Sequence, residues 1–74
     1  MKDVKNLWKR CMHYAKMLGK TDEEVSVKRK RSYLNRLYLD CKLMAHSLGL
    51  SEQDVYLAFS MTDNFNDFIN FSKI

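Results

Sequence analysis

Residues 4–25 align without a gap on residues 34–55 at an offset of 30. Leu7 falls on Leu37, Cys11 on Cys41, Ala15 on Ala45, Leu18-Gly19 on Leu48-Gly49 and Val25 on Val55, while Trp8/Tyr38, Thr21/Ser51, Asp22/Glu52 and Glu24/Asp54 are conservative pairs. A self-similarity of this period means one supersecondary unit written twice, and it limits the chain to folds that can stack two such units.

Each unit opens on one apolar helical face. In the first it is Val4, Leu7, Trp8, Cys11, Ala15 and Leu18; in the second, Leu34, Leu37, Tyr38, Cys41, Ala45 and Leu48. Gly19 and Gly49 stand where a helix C-terminus favours a left-handed residue. Thr21 and Ser51 follow as N-caps, with Glu24 and Asp54 three residues on in capping-box position. The spacing predicts helices over 3–18, 22–31, 33–48, 52–60 and 64–72. Nothing between Asp22 and Ser47 is Gly or Pro, so the second and third could be continuous; because Lys28 to Arg31 interrupts the apolar stripe, a bend or break is expected near Arg31-Ser32. Met61-Thr62-Asp63-Asn64 reads as terminator and cap. Phe65, Phe68 and Ile69 then recur at helical spacing as a closing helix, or, if unpacked, as an apolar hook for a partner. The fold class expected is all-α: one domain over residues 1–74, a compact bundle of four or five helices built from two tandem helical hairpins plus a C-terminal helix.

A chain of 74 residues, 46% hydrophobic and without proline, buries only about 60% of the surface its unfolded form exposes, too little for a deep cleft and its walls. An enzyme is not expected. Metal binding is opposed by geometry: Cys11 and His13 stand about 200° apart on a helix and Cys41 and His46 about 140°, so neither pair can grip one ion. No glycine-rich phosphate loop or nucleophile motif is present, and no cofactor is expected. Cys11 and Cys41 read as buried free thiols. The longest apolar stretches are far short of the roughly 20 residues that span a bilayer. No membrane partner is expected; the N-terminal Met1-Lys2-Asp3-Val4-Lys5 shows no secretory pattern, which leads to a cytoplasmic expectation.

Charge separates the chain at Lys42. The net formal charge of +4 resolves into a strongly basic segment up to that residue and an acidic one beyond it, where Lys73 faces Glu52, Asp54, Asp63 and Asp67. Lys28-Arg29-Lys30-Arg31 and Arg36 can neutralise several phosphates or an acidic protein face. Tyr33, immediately after this run, is the aromatic placed to stack on a base, whereas Trp8 and Tyr38 lie on the core stripe.

The pattern Ala-x-x-x-Gly-x-x-x-x-x-Val, carried by Ala15, Gly19 and Val25 and again by Ala45, Gly49 and Val55, resembles the helix-turn-helix of DNA-binding proteins in two tandem copies, residues 12–31 and 42–60. The resemblance implies a second helix in each copy that meets base edges. Thr21, Asp22, Glu23, Ser26, Val27 and Lys30 would be presented by the first, and Ser51, Glu52, Gln53, Tyr56 and Leu57 by the second. Acids at those positions oppose phosphate by about 1 kcal/mol each near a surface, and they also suit a helix N-terminus. The leading expectation is therefore a small non-enzymatic nucleic-acid-binding or transcription-regulating protein, gripping phosphate through Lys28, Arg29, Lys30, Arg31 and Arg36, with Tyr33 beside them. The alternative is a helical protein-interaction module, an inhibitor or adaptor of the size encoded by phages and mobile elements, that offers its basic face to an acidic protein or Tyr56, Leu57, Phe59 and Phe65 to an apolar one. A homodimer is open in a domain this small.

Overall fold

The computed structural model describes residues 2–72, and over them the chain is helical with no strand. Helices α1 (Lys2–Leu18), α2 (Val27–Leu48), α3 (Glu52–Met61) and α4 (Phe65–Ser72) follow in order. At 1.5 Å per residue the 22-residue α2 is about 33 Å long, and it sets the long dimension of a molecule measuring 39 × 21 × 19 Å.

The helices pack as their stripes dictate. As α1 runs forward its partners run backward along α2: Arg10 meets Asp40, and Tyr14 meets Tyr33. These two helices are therefore antiparallel, and they lie against each other along much of α1. Val4, Leu7 and Cys11 of α1 join Leu37, Cys41, Met44 and Ala45 of α2, Val55 and Ala58 of α3, and Phe68 and Ile69 of α4 in one core. Phe68, Met44 and Val55 are wholly enclosed; full burial of side chains of this size is worth about 1.5–3 kcal/mol each. Phe65 packs edge-on to Trp8 at 5.6 Å. The C-terminal segment is thus closed onto the core rather than left as a hook.

The expected helix over 22–31 forms only from Val27 on, as the start of α2, while residues 22–26 are non-helical. Thr21 acts through its carbonyl, which accepts from the Glu24 and Val25 N–H groups at 3.0 Å and closes a single turn. Ser26 is the N-cap instead, its Oγ accepting from the Arg29 N–H at 3.2 Å. From there α2 runs through Arg31-Ser32 without the expected break. Lys and Arg are good helix formers, Lys30 is tied to Asp22, and the apolar far end of α2 is anchored in the core. Ser51 and Asn64 cap α3 and α4, Ser51 Oγ accepting from Asp54 N–H at 3.1 Å and Asn64 Oδ1 from Asn66 N–H at 2.8 Å.

Tyr38 also departs from expectation. Trp8 is half-buried against the core, whereas Tyr38 is 51% exposed and meets the ring of Tyr56 edge-on at 5.6 Å. Cys11 and Cys41 are free thiols with no exposed surface. The two thiols neighbour each other, and the interaction with Cys41, together with burial, raises the Cys11 pKa.

Candidate nucleic-acid interface on the second helix

α2 carries Lys28, Arg29, Lys30, Arg31, Arg36 and Lys42, and a single carboxylate, Asp40. That carboxylate does not reach the outer surface. Asp40 is 4% exposed and is held in a fork by Arg10 of α1, whose Nε donates to Oδ2 at 3.1 Å and whose Nη2 donates to Oδ1 at 2.9 Å. The same hydrogen bonds raise the Arg10 pKa further. With Asp40 buried and neutralised, every exposed charged side chain along α2 is a cation.

A run of four residues circles the whole helix at 100° per step, so Lys28 to Arg31 cannot act as one patch. Continuity of α2 sorts them into two strips whose centres stand about 140° apart around the helix. Lys28, Arg31 and Lys42 share one, at i, i+3 and i+14, with Leu39 and Leu43 beside them. Arg29, Tyr33 and Arg36 share the other, at i, i+4 and i+7. Lys28, Arg29, Arg31, Arg36 and Lys42 are exposed. Lys30 turns toward the loop, where its Nζ donates to Asp22 Oδ1 at 2.8 Å, and it is largely covered. Lys30 is therefore removed from the free cations of the expected site.

Tyr33 is half-buried and stacks on Tyr14 of α1 with ring centres 6.0 Å apart and planes inclined by 26°. His13, exposed on α1, stands edge-on to Tyr33 at 6.1 Å. Sequence reasoning misses Lys42, His13, Tyr14 and Arg10 as members of this surface. Lys42 is within its reach, since a place on the strip follows once residues 27–48 are taken as a single helix. The α1 residues require knowledge of how α1 crosses α2.

The expected apolar contact set is mostly packing. Tyr56, Phe59 and Phe65 are half-buried against the core, and only Leu57 is exposed. The Tyr56 hydroxyl is buried near Cys41, and burial pushes its pKa up. Leu39, Leu43, Leu57 and Met61 are exposed aliphatic and thioether side chains of α2 and α3.

The two turn copies differ. Residues 42–60 do form helix, turn and helix, but α3 opens on Glu52 and Asp54, both exposed. Residues 12–31 do not, since α2 begins only at Val27. Among the described residues no group of three or more His, Cys, Asp or Glu is gathered closely enough to hold a metal ion, and no helix is long and apolar enough to cross a membrane. The chain matches no family model, no curated protein and no solved structure.

Proposed function

We propose that this chain is a non-enzymatic nucleic-acid-binding protein that holds a phosphate backbone along the outward face of α2. The observation that carries the reading is the one-signed charge of that face, which presents cations along the helix while its only carboxylate is folded inward onto Arg10. Lys28 and Lys42 are separated by about 21 Å of helix axis at 1.5 Å per residue, a span matching several phosphates. α3 is not the reading helix in this proposal, because Glu52 and Asp54 at its start repel phosphate. The backbone contacts belong to α2, and sequence discrimination through them is small. A role in transcription regulation would then rest on occupancy rather than on base reading by α3. The duplicated pattern supports reading the bundle as one helical hairpin written twice, its first short arm absorbed into α2.

A fluorescence anisotropy titration with a labelled oligonucleotide at two salt concentrations tests the proposal. Binding should weaken steeply with salt; about four phosphate contacts correspond to a slope of log K on log salt near −3 to −4. Absence of binding at low salt would sink it.

Leu39 and Leu43, 56% and 44% exposed within the same basic face, favour a second reading, an acidic protein surface with apolar spots. Nuclease-treated pull-downs distinguish the two, comparing the wild type with the chain in which Lys28, Arg29, Lys30 and Arg31 are all Ala. Retention of one protein by the wild type after nuclease, and its loss from the variant, favours the protein partner. Self-pairing through this face is disfavoured, since it would set cation against cation.

A further inference from the structure

We infer that the nucleic acid taken by this site is single-stranded, with an unpaired base laid against the Tyr14–Tyr33 rings. This inference rests on the nucleic-acid reading and narrows it to one class of strand. Phosphate contacts alone do not distinguish a duplex from a single strand; a stacking surface does, because only an unpaired base offers its face.

Three rings converge where α1 crosses α2. Tyr14 and Tyr33 stack with centres 6.0 Å apart, and His13 lies 5.9 Å from Tyr14 and 6.1 Å from Tyr33, steeply inclined to both. Neither tyrosine belongs to the enclosed core: both are half-buried and His13 is exposed. On its inward side the pair continues into the core, through Leu37 one turn after Tyr33 and Leu18 one turn after Tyr14. Along its outer side the sequence places guanidinium groups, Arg29 and Arg36 one turn to either side of Tyr33 on the same strip of α2 and Arg10 one turn before Tyr14 on α1.

The guanidinium chemistry fits the same ligand. Arg29 and Arg36 are exposed, and the ion pairs found among the described residues engage Arg10 and Lys30 instead. They stand about 10 Å apart along the axis at 1.5 Å per residue, far enough for two phosphates to flank one base between them. Arg10 is committed to Asp40 through two N–H groups, which fixes it at the edge of the cluster. Arginine binds phosphate through its planar fork and also stacks on bases. An acidic protein partner would use the cations but has no need of the rings, and a duplex would meet the cations with its bases turned inward.

The test compares a 20-nucleotide oligothymidine with a duplex of the same length by anisotropy, using the full chain. The wild type should bind the single strand about tenfold more tightly, stacking of one base being worth roughly that factor. Tyr33→Leu keeps an apolar side chain on the α1–α2 contact; helicity and melting temperature measured alongside establish that it folds. It should lose about tenfold in single-strand affinity with the salt slope unchanged, while Tyr33→Phe retains the affinity. Arg36→Gln should weaken both ligands and flatten the slope by about 0.7–0.9. Equal affinity for single strand and duplex, or a folded Tyr33→Leu that binds as the wild type does, overturns the inference and leaves the nucleic-acid reading standing. Failure of both ligands to bind at low salt overturns the two together.

Discussion

The turn after α1 and the turn after α2 begin alike on Leu-Gly and lead alike to a buried valine, Val25 or Val55, yet they have different structures. After α2, Gly49 takes a left-handed φ of 69°, the Leu50 N–H donates to Ala45 O at 2.9 Å, and Gly49 N–H donates to His46 O. This is a Schellman arrangement, and it is completed by the packing of Leu50 against the core. After α1, Gly19 stays outside the left-handed region, its N–H shared between Ala15 O and Lys16 O. The residue that follows is Lys20. Leu50 is among the side chains packed on the core and Lys20 is not; the chain leaves α1 by another route, and Ser26, rather than Thr21, begins the next helix.

Positions 10 and 40 are equivalent in the two units yet carry opposite charges. Arg10→Ala would leave Asp40 buried without its fork. Because the outer part of Arg10 faces water, the loss should be about 2 kcal/mol, below the usual penalty for a fully buried pair. In a domain of this size that lowers Tm by about 10 °C. Arg10→Met combined with Asp40→Leu should lie within about 1 kcal/mol of the wild type, since no buried charge remains. Urea unfolding of the three chains checks it; a single variant as stable as the wild type would mean that Asp40 is hydrated after all.

Cys11 and Cys41 form the other equivalent pair in contact, and pH probes them. Cys11 is raised by its interaction with Cys41 and by burial, and Tyr56 by burial. Both therefore keep their protons in the fold at a pH where the unfolded chain has released them. Each contribution is present in full below that group's unfolded pKa, about 8.5 for the thiol and about 10 for the phenol, and is lost as pH rises above it, at up to about 1.4 kcal/mol per pH unit. Cys41 is shifted the opposite way by the same contact, so the two thiols titrate as a pair and the fall in stability between pH 7 and pH 10, measured by denaturation under reducing conditions, is smaller than Cys11 alone would give. Cys11→Ala should be less stable at pH 7 through its cavity, yet show a shallower fall to pH 10. An equal fall in both chains would acquit the thiol.

Helical spacing depends on local periodicity, and it makes α1, α3, α4 and the core positions Cys11, Cys41, Val55 and Phe68 readable from the order of residues alone. The start of α2 is not readable in that way, because Thr21 and Ser26 are both competent caps and tertiary packing chooses between them. For the same reason the basic residues of the candidate interface can be named from the sequence but not sorted: Lys28 and Arg29 fall on different strips, and Lys30 is lost to Asp22, only because α2 is continuous from Val27. The Arg10–Asp40 fork does leave a trace, as opposite charges at matching places in the repeat.

The glycines give a sharper contrast. Gly49→Ala forces a Cβ into the left-handed region and should destabilise by about 1 kcal/mol. Gly19→Ala meets no such strain, since its nearest new neighbours would be backbone oxygens at 3.6 and 3.7 Å, and should be neutral or stabilising by up to about 0.5 kcal/mol. The caps follow the same logic. Ser26→Ala should cost about 1 kcal/mol through the lost bond to Arg29 N–H, and Thr21→Ala close to nothing. Thermal melts of the four variants read this directly, and equal losses at Ser26 and Thr21 would reinstate Thr21 as a cap.

The smallest effect on stability is also the one that connects the turns to binding. Asp22 and Glu52 are equivalent in the repeat, but it is Asp22 that pairs with a cation, Lys30. The pair is exposed on the Asp22 side, so Asp22→Asn should change stability by less than about 0.5 kcal/mol. It should nevertheless free Lys30 at the edge of the basic face, raising nucleic-acid affinity severalfold at low salt with the advantage shrinking as salt screens it. Glu52→Gln alters net charge by the same amount on α3, away from the Lys28–Arg36 stretch, and should raise affinity less. If the two substitutions act equally, the binding responds to net charge alone and the first turn has no part in it; if Asp22→Asn exceeds Glu52→Gln, the divergence of the two turns tunes the interface.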